Sequence, residues 1–130
     1  MAEKLQYFPF PDGRPGTAAV SDGRTVYVSQ LTAPCDCSPA DLRTQTRQIL
    51  TVLETILHRA DACPQSILQL TVTIADSRCI PAVLQVWREW CAPPIPSPVG
   101  RFGRLPGTLV AVDAVAAIEH PAGERDALNG

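Results

Sequence analysis

The sequence has no run of about 18 or more uninterrupted apolar residues, which is what a membrane-spanning helix requires, so a helical span is not expected. It also lacks the charged-then-apolar layout of a secretory leader. Met1-Ala2-Glu3-Lys4-Leu5-Gln6 reads instead as an ordinary start, and the cytosol is the expected location. No long basic run is present, and basic residues are not interleaved with aromatic ones. Lysine plus arginine number 11 against 13 aspartates plus glutamates, a formal net charge of −2, so nucleic-acid binding by charge is not expected. Histidine is limited to the isolated His58 and His120. The five cysteines, Cys35, Cys37, Cys63, Cys79 and Cys91, are odd in number, and Cys35-Asp36-Cys37 has no second pair at zinc-finger spacing. They read as reduced loop and core thiols, with neither a disulfide framework nor a metal centre expected.

What the chain does have is patterned sequence separated by proline. At 130 residues it is expected to form one domain over residues 1–130, with a disordered tail from about residue 121. The 13 prolines concentrate in Pro9 to Pro15, Pro34 to Pro39 and Pro93 to Pro106, which read as connections between elements. Ala18 to Ser29 reads as a hairpin about the Asp22-Gly23 turn. Ser38 is placed to cap a helix, with Pro39 at its first position and Asp41 in its first turn. That helix is expected to run to about Ala60, because Leu42, Ile49, Leu50, Leu53, Ile56, Leu57 and Ala60 recur at three- and four-residue spacing.

Ile67 to Ala75 alternates Leu68, Leu70, Val72 and Ile74 with Gln69, Thr71 and Thr73, the two-residue period of a strand. Its polar face is too uncharged for an ordinary solvent face and is expected to meet another subunit. Asp76-Ser77 opens a second helix, about Cys79 to Trp90, with Ile80, Val83, Leu84, Trp87 and Cys91 as its apolar stripe and the tryptophans as packing anchors. One or two strands follow. The order predicts an α+β layer with two helices against one face of a mixed β-sheet. In the final apolar run, Leu109 to Ile118, a single carboxylate stands out: Asp113. A charge there costs several kcal/mol unless it is paired, with Arg101 or Arg104 as candidates, or faces a cavity.

Val26-Tyr27-Val28-Ser29, the helix segment Gln45 to Leu57, Thr71-Val72-Thr73-Ile74-Ala75-Asp76 and Arg104-Leu105-Pro106 follow one another as in the Rid (RidA/YjgF-like) family, which the chain resembles from about Pro15 to Ile118. The resemblance implies a chorismate-mutase-like fold, a homotrimer with sheets inward and helices outward, and three clefts between subunits. It further implies cofactor-free hydrolysis of reactive imine or enamine acids to keto acid and ammonia, with no metal. In that chemistry an arginine grips the substrate carboxylate and a glutamate positions the attacking water.

Carried over residue by residue, the resemblance puts Asp113 on the glutamate position. Pro15-Gly16-Thr17-Ala18 stands where the family has a pocket tyrosine, which becomes Gly16. Ser29-Gln30-Leu31 stands at the serine-glycine-glutamine turn, with Gln30 in place of the glycine. Counting back without a gap from Arg104-Leu105-Pro106 puts Ser97 at the arginine position; aligning Pro98-Val99 puts Gly100 there, with Arg101 one residue beyond. A bulge at Gly100 or Gly103 would restore the direction of Arg101. The candidate catalytic pair is therefore Asp113 and Arg101, and the candidate substrate-binding residues are Gly16, Thr17, Ser29, Gln30, Ser97, Gly100 and Arg104. The partners expected are further copies of the chain and a small carboxylate-bearing molecule. A trimeric small-molecule-binding protein, or a divergent biosynthetic enzyme without deaminase activity, is the alternative.

Overall fold

Asp22 and Gly23 make the first tight reversal. Gly23 sits at φ +94°, and the Asp22 carboxylate accepts the Arg24 and Thr25 backbone N–H groups at 2.9 and 2.8 Å. This side-chain turn holds β2 (Thr17–Ser21) against β3 (Thr25–Leu31), as the hairpin reading anticipated. In the computed structural model, residues 5–32, 42–90, 99–103, 105 and 108–119 are described. Their other elements are β1 (Gln6–Pro9), α1 (Leu42–Arg59), β4 (Ile67–Ile74), α2 (Ile80–Trp90), β5 (Val99–Phe102) and β6 (Val110–Ala117). The start of α1 predicted at Ser38 to Asp41 lies outside the described residues.

The six strands form one sheet in the order β1-β2-β3-β6-β4-β5. All neighbours are antiparallel except β4 and β5, which run parallel, so the sheet is mixed as expected. A parallel pair needs a crossover, and α2 supplies it. The four-residue strand β1 was not anticipated from the sequence; Pro9 ends it at the sheet edge, where the missing N–H costs no ladder bond.

Both helices cover one face. From α1, Ile49, Leu50, Leu53, Ile56 and Leu57 are buried against Val28, Leu31, Leu70, Val72, Val112 and Ala114 of the sheet, each side chain stabilising by about 1.5–3 kcal/mol. Asp76 opens the turn before α2 by accepting the Arg78 backbone N–H at 2.9 Å. Trp87 is buried beside the half-buried Trp90, their rings edge to face with centroids 6.2 Å apart. Trp90 Nε1 donates to Glu54 Oε1, which joins α2 to α1. The tryptophans are thus packing anchors, as expected.

Two apolar assignments shift. Leu68 was expected in the core, but the β4–β6 register slips between Ile67 and Gln69, so Ile67 opposes Ala116 and Leu68 is 63% exposed. On α2 the buried residues are Val83, Val86 and Trp87, while Leu84 is 41% exposed. The edge strand β5 is only four residues long and leaves Leu84 at the rim of the sheet. The predicted Cys91 lies outside the described residues.

Candidate functional site

The sheet face opposite the helices is defined by cross-strand partners. Tyr7, Val20, Tyr27 and Val115 form one row across β1, β2, β3 and β6, and a second row pairs Asp113 with Thr71. Directly opposed residues share a face, so Asp113 lies on the helix-free side, half-buried. The alternation along β6 puts Val112 and Ala114 in the core and Asp113 outside it.

Asp113 faces a β-bulge. Val28 pairs with Ala114 and Leu31 with Val112, so Ser29 and Gln30 together oppose Asp113 alone. Gln30 adopts the left-handed region at φ +51°, and its backbone N–H, freed from the ladder, donates to Asp113 Oδ1 at 2.8 Å. Among the described residues no ion pair joins Asp113 to Arg101. Asp113 is served by a backbone amide and by partial exposure and not by Arg101; the other candidate, Arg104, lies outside the described residues.

Gly16 and Thr17 lie at the start of β2, beyond Ala19–Val28, the last pair of the β2–β3 ladder toward this bulge, and Gly16 sits at φ +108°. Arg14, which sequence reasoning did not single out, fixes the loop that carries them. Its guanidinium binds Asp12 at 2.9 Å, donates to the Thr32 hydroxyl at 3.1 Å and carbonyl at 2.9 Å, and lies 4.6 Å from the centre of the Phe10 ring. These bonds hold the Asp12 carboxyl below its usual pKa. The available signal was Asp12 two residues before Arg14, a spacing that allows a local ion pair across a turn.

Arg101 is elsewhere on the same face. It pairs with Thr73 on β4, and Thr73 pairs with Ala111 on β6, so Arg101 is two strands away from β6, roughly 10 Å sideways at the usual strand spacing. β5 pairs with β4 without a bulge from Val99 to Phe102, so the redirecting bulge anticipated at Gly100 is not formed. Gly100 shares the row of Val72 and faces the helices, away from Asp113. The structure therefore brings Ser29 and Gln30 against Asp113, leaves Gly16 and Thr17 at the start of β2, and sets Gly100 and Arg101 apart across β4. Ser97 and Arg104 lie outside the described residues.

Large apolar side chains remain on the uncovered face: Tyr7, Tyr27 and Val99 are 61%, 46% and 59% exposed. A concavity of about 440 Å³ lies between the starts of α1 and α2 and includes Arg43, Asp76, Arg78 and Cys79. Its charges are already engaged. Arg43 donates to Gln85 Oε1 at 2.7 Å, and Arg78 holds the Asp76 carboxyl at about 2. Burial pushes the Cys79 thiol up, which disfavours the nucleophilic thiolate. No cluster of metal-ligating side chains occurs among the described residues, and no helix of the described residues is long and apolar enough to cross a membrane.

Residues 14–118 match the family model described as Endoribonuclease L-PSP. No curated protein matches the chain. Among solved structures, the fold is similar to that of a member of the YjgF protein family from Neisseria meningitidis (TM-score 0.76, 17% identity, covering 93% of this chain and 100% of that one). It is also similar to a candidate endoribonuclease L-PSP from Entamoeba histolytica (0.77, 21%, 88% and 100%). An uncharacterized protein from Pseudomonas aeruginosa matches comparably (0.73, 24%, 89% and 100%).

Proposed function

Because the chain belongs to the Endoribonuclease L-PSP family, the YjgF/RidA group, we propose that it hydrolyses small reactive imine or enamine acids in clefts between the subunits of a homotrimer. The carrying observation is Asp113: a half-buried carboxylate on the helix-free sheet face, held through Oδ1 by the Gln30 amide. Its second oxygen is the one offered to a water. That water attacks the imine carbon, forming a C–O bond. One of its protons passes by way of Asp113 to the nitrogen, and the carbinolamine collapses to keto acid and ammonia. Arg101 serves as the carboxylate clamp, reaching from one subunit toward the Asp113 of another. The exposed Tyr7 and Tyr27, in one row of the helix-free face with Val20 and Val115, support the assembly, since such an apolar row is stabilised by burial against another copy. A net charge of −2 counts against RNA as the substrate.

The bond from the Gln30 amide also favours a second reading, a small-molecule-binding trimer in which Asp113 only supports the bulge. One experiment separates the two. 2-Iminobutanoate or 2-iminopropanoate is generated with a dehydratase or an amino-acid oxidase, and ammonia release is followed with protein shown by light scattering to be trimeric. The enzyme reading expects acceleration that falls by about 10²–10⁴-fold in Asp113→Asn. A trimer that leaves the buffer rate unchanged is the binding protein. A monomer at micromolar concentration contradicts both.

A further inference from the structure

The strand β4 turns three polar side chains, Gln69, Thr71 and Thr73, to the helix-free face, in alternation with the core residues Leu70, Val72 and Ile74. Their cross-strand partners on β6 differ. Gln69 is exposed and opposes Val115, and Thr73 is 4% exposed and opposes Ala111. Of the three, Thr71 alone stands directly across from Asp113, and both residues are half-buried. Asp113 therefore has the Ser29–Gln30 bulge on one side and Thr71 on the other. Among the described residues the Thr71 hydroxyl makes no hydrogen bond, and Asp113 has only the one from the Gln30 amide.

We infer that Thr71 orients the attacking water in the hydrolysis proposed above, on which this role rests: its Oγ1 accepts one water proton while the second oxygen of Asp113 accepts the other. A water that attacks carbon must keep a lone pair free, so acceptors on both of its protons aim it, whereas one acceptor leaves it free to swivel. The spacing fits. Directly opposed side chains on one face have Cβ atoms about 4.5–5.5 Å apart, and a water making two bonds of about 2.8 Å at a tetrahedral angle spans about 4.6 Å between its partners. The two protons then have separate paths. The one on Asp113 passes to the imine nitrogen as the C–O bond forms. The one on Thr71 stays with the new hydroxyl and leaves it for the departing nitrogen when the C–N bond breaks, giving ammonia, so Thr71 itself neither gains nor loses a proton.

The test measures ammonia release by the trimeric protein at graded rates of 2-iminobutanoate supply from a dehydratase, for wild type, Thr71→Val and Thr71→Ser. Valine matches threonine in shape and suits a strand but has no acceptor. It is expected to lower kcat about three- to tenfold, the usual worth of one hydrogen bond, with KM unchanged. Serine keeps the oxygen and is expected to return kcat to within about twofold of wild type, a rescue that a purely structural role for the methyl group would not allow. Thr71→Ala, expected to lose as much as Thr71→Val, takes its place if the valine variant does not assemble. Wild-type kcat without the hydroxyl, a loss carried by KM, or a Thr71→Ser variant as slow as Thr71→Val would each overturn the role of Thr71 and leave hydrolysis at Asp113 standing. A wild-type trimer that leaves the buffer rate unchanged would overturn both.

Discussion

Replacing Gln30 by glycine should stabilise this protein, although it deletes a side chain. At φ +51° Gln30 is in the left-handed region, which costs an L-residue about 1–2 kcal/mol. Glycine adopts it without that clash but costs about 0.5–1 kcal/mol in lost chain entropy. The difference favours Gln30→Gly by about 0.5–1 kcal/mol, because the amide that bonds Asp113 Oδ1 is retained. With a urea slope of about 2 kcal/mol/M, the unfolding midpoint should rise by roughly 0.3–0.5 M. Tryptophan fluorescence reports the transition, with protein concentration held constant because assembly would shift it. Gln30→Ala is the control: it removes the same polar atoms but keeps the Cβ that makes this conformation costly, and should lie within about 0.3 kcal/mol of wild type. If alanine and glycine raise the midpoint equally, the gain comes from the side chain and the strain argument is refuted.

Two other outcomes rest on the fold. Asp76, held at about 2 by the Arg78 side chain and backbone, has a folded pKa below its ordinary 3.8. Its contribution is fully present above about pH 4 and is lost as pH falls toward 2, so acid titration should show the stability gap between wild type and Asp76→Asn closing over that window. Ile56→Ala deletes a fully buried side chain of α1 and should cost about 2–5 kcal/mol in urea denaturation; a loss below 1 kcal/mol would mean that the helix–sheet core is looser than described.

Much of the fold was legible because periodicity and burial agree where elements are long. Leu42 to Ala60 carries its apolar residues at helical spacing, and every residue named in that stripe is buried. Leu68 and Leu84 were misplaced because their exposure depends on a register slip in β4 and on the shortness of β5, neither of which is a property of the local sequence. The candidate site shows the same division. Asp113 could be singled out as a carboxylate in an apolar run, but its partner could not. The Gln30 amide is free of the strand ladder, and so able to donate to Asp113, only because Ser29 and Gln30 bulge against β6, whose Asp113 is 83 residues along the chain. The resemblance had glycine at this position, and the left-handed φ supplies a physical reason for it.

The strand order has a consequence for how the protein is made. β6 is the last in sequence of the described strands yet lies between β3 and β4, so the two described halves of the sheet have no common strand pairing until residues 110–117 arrive. At a synthesis rate of about 5–20 residues per second, the 43 residues between Ile74 and Ala117 take roughly 2–9 s. During that interval β3 and β4 each present an open edge that β6 later fills, the kind of surface on which nascent chains associate wrongly. The final strand acts as the keystone of the sheet, and the time before it is laid is when the chain is most exposed to misassembly.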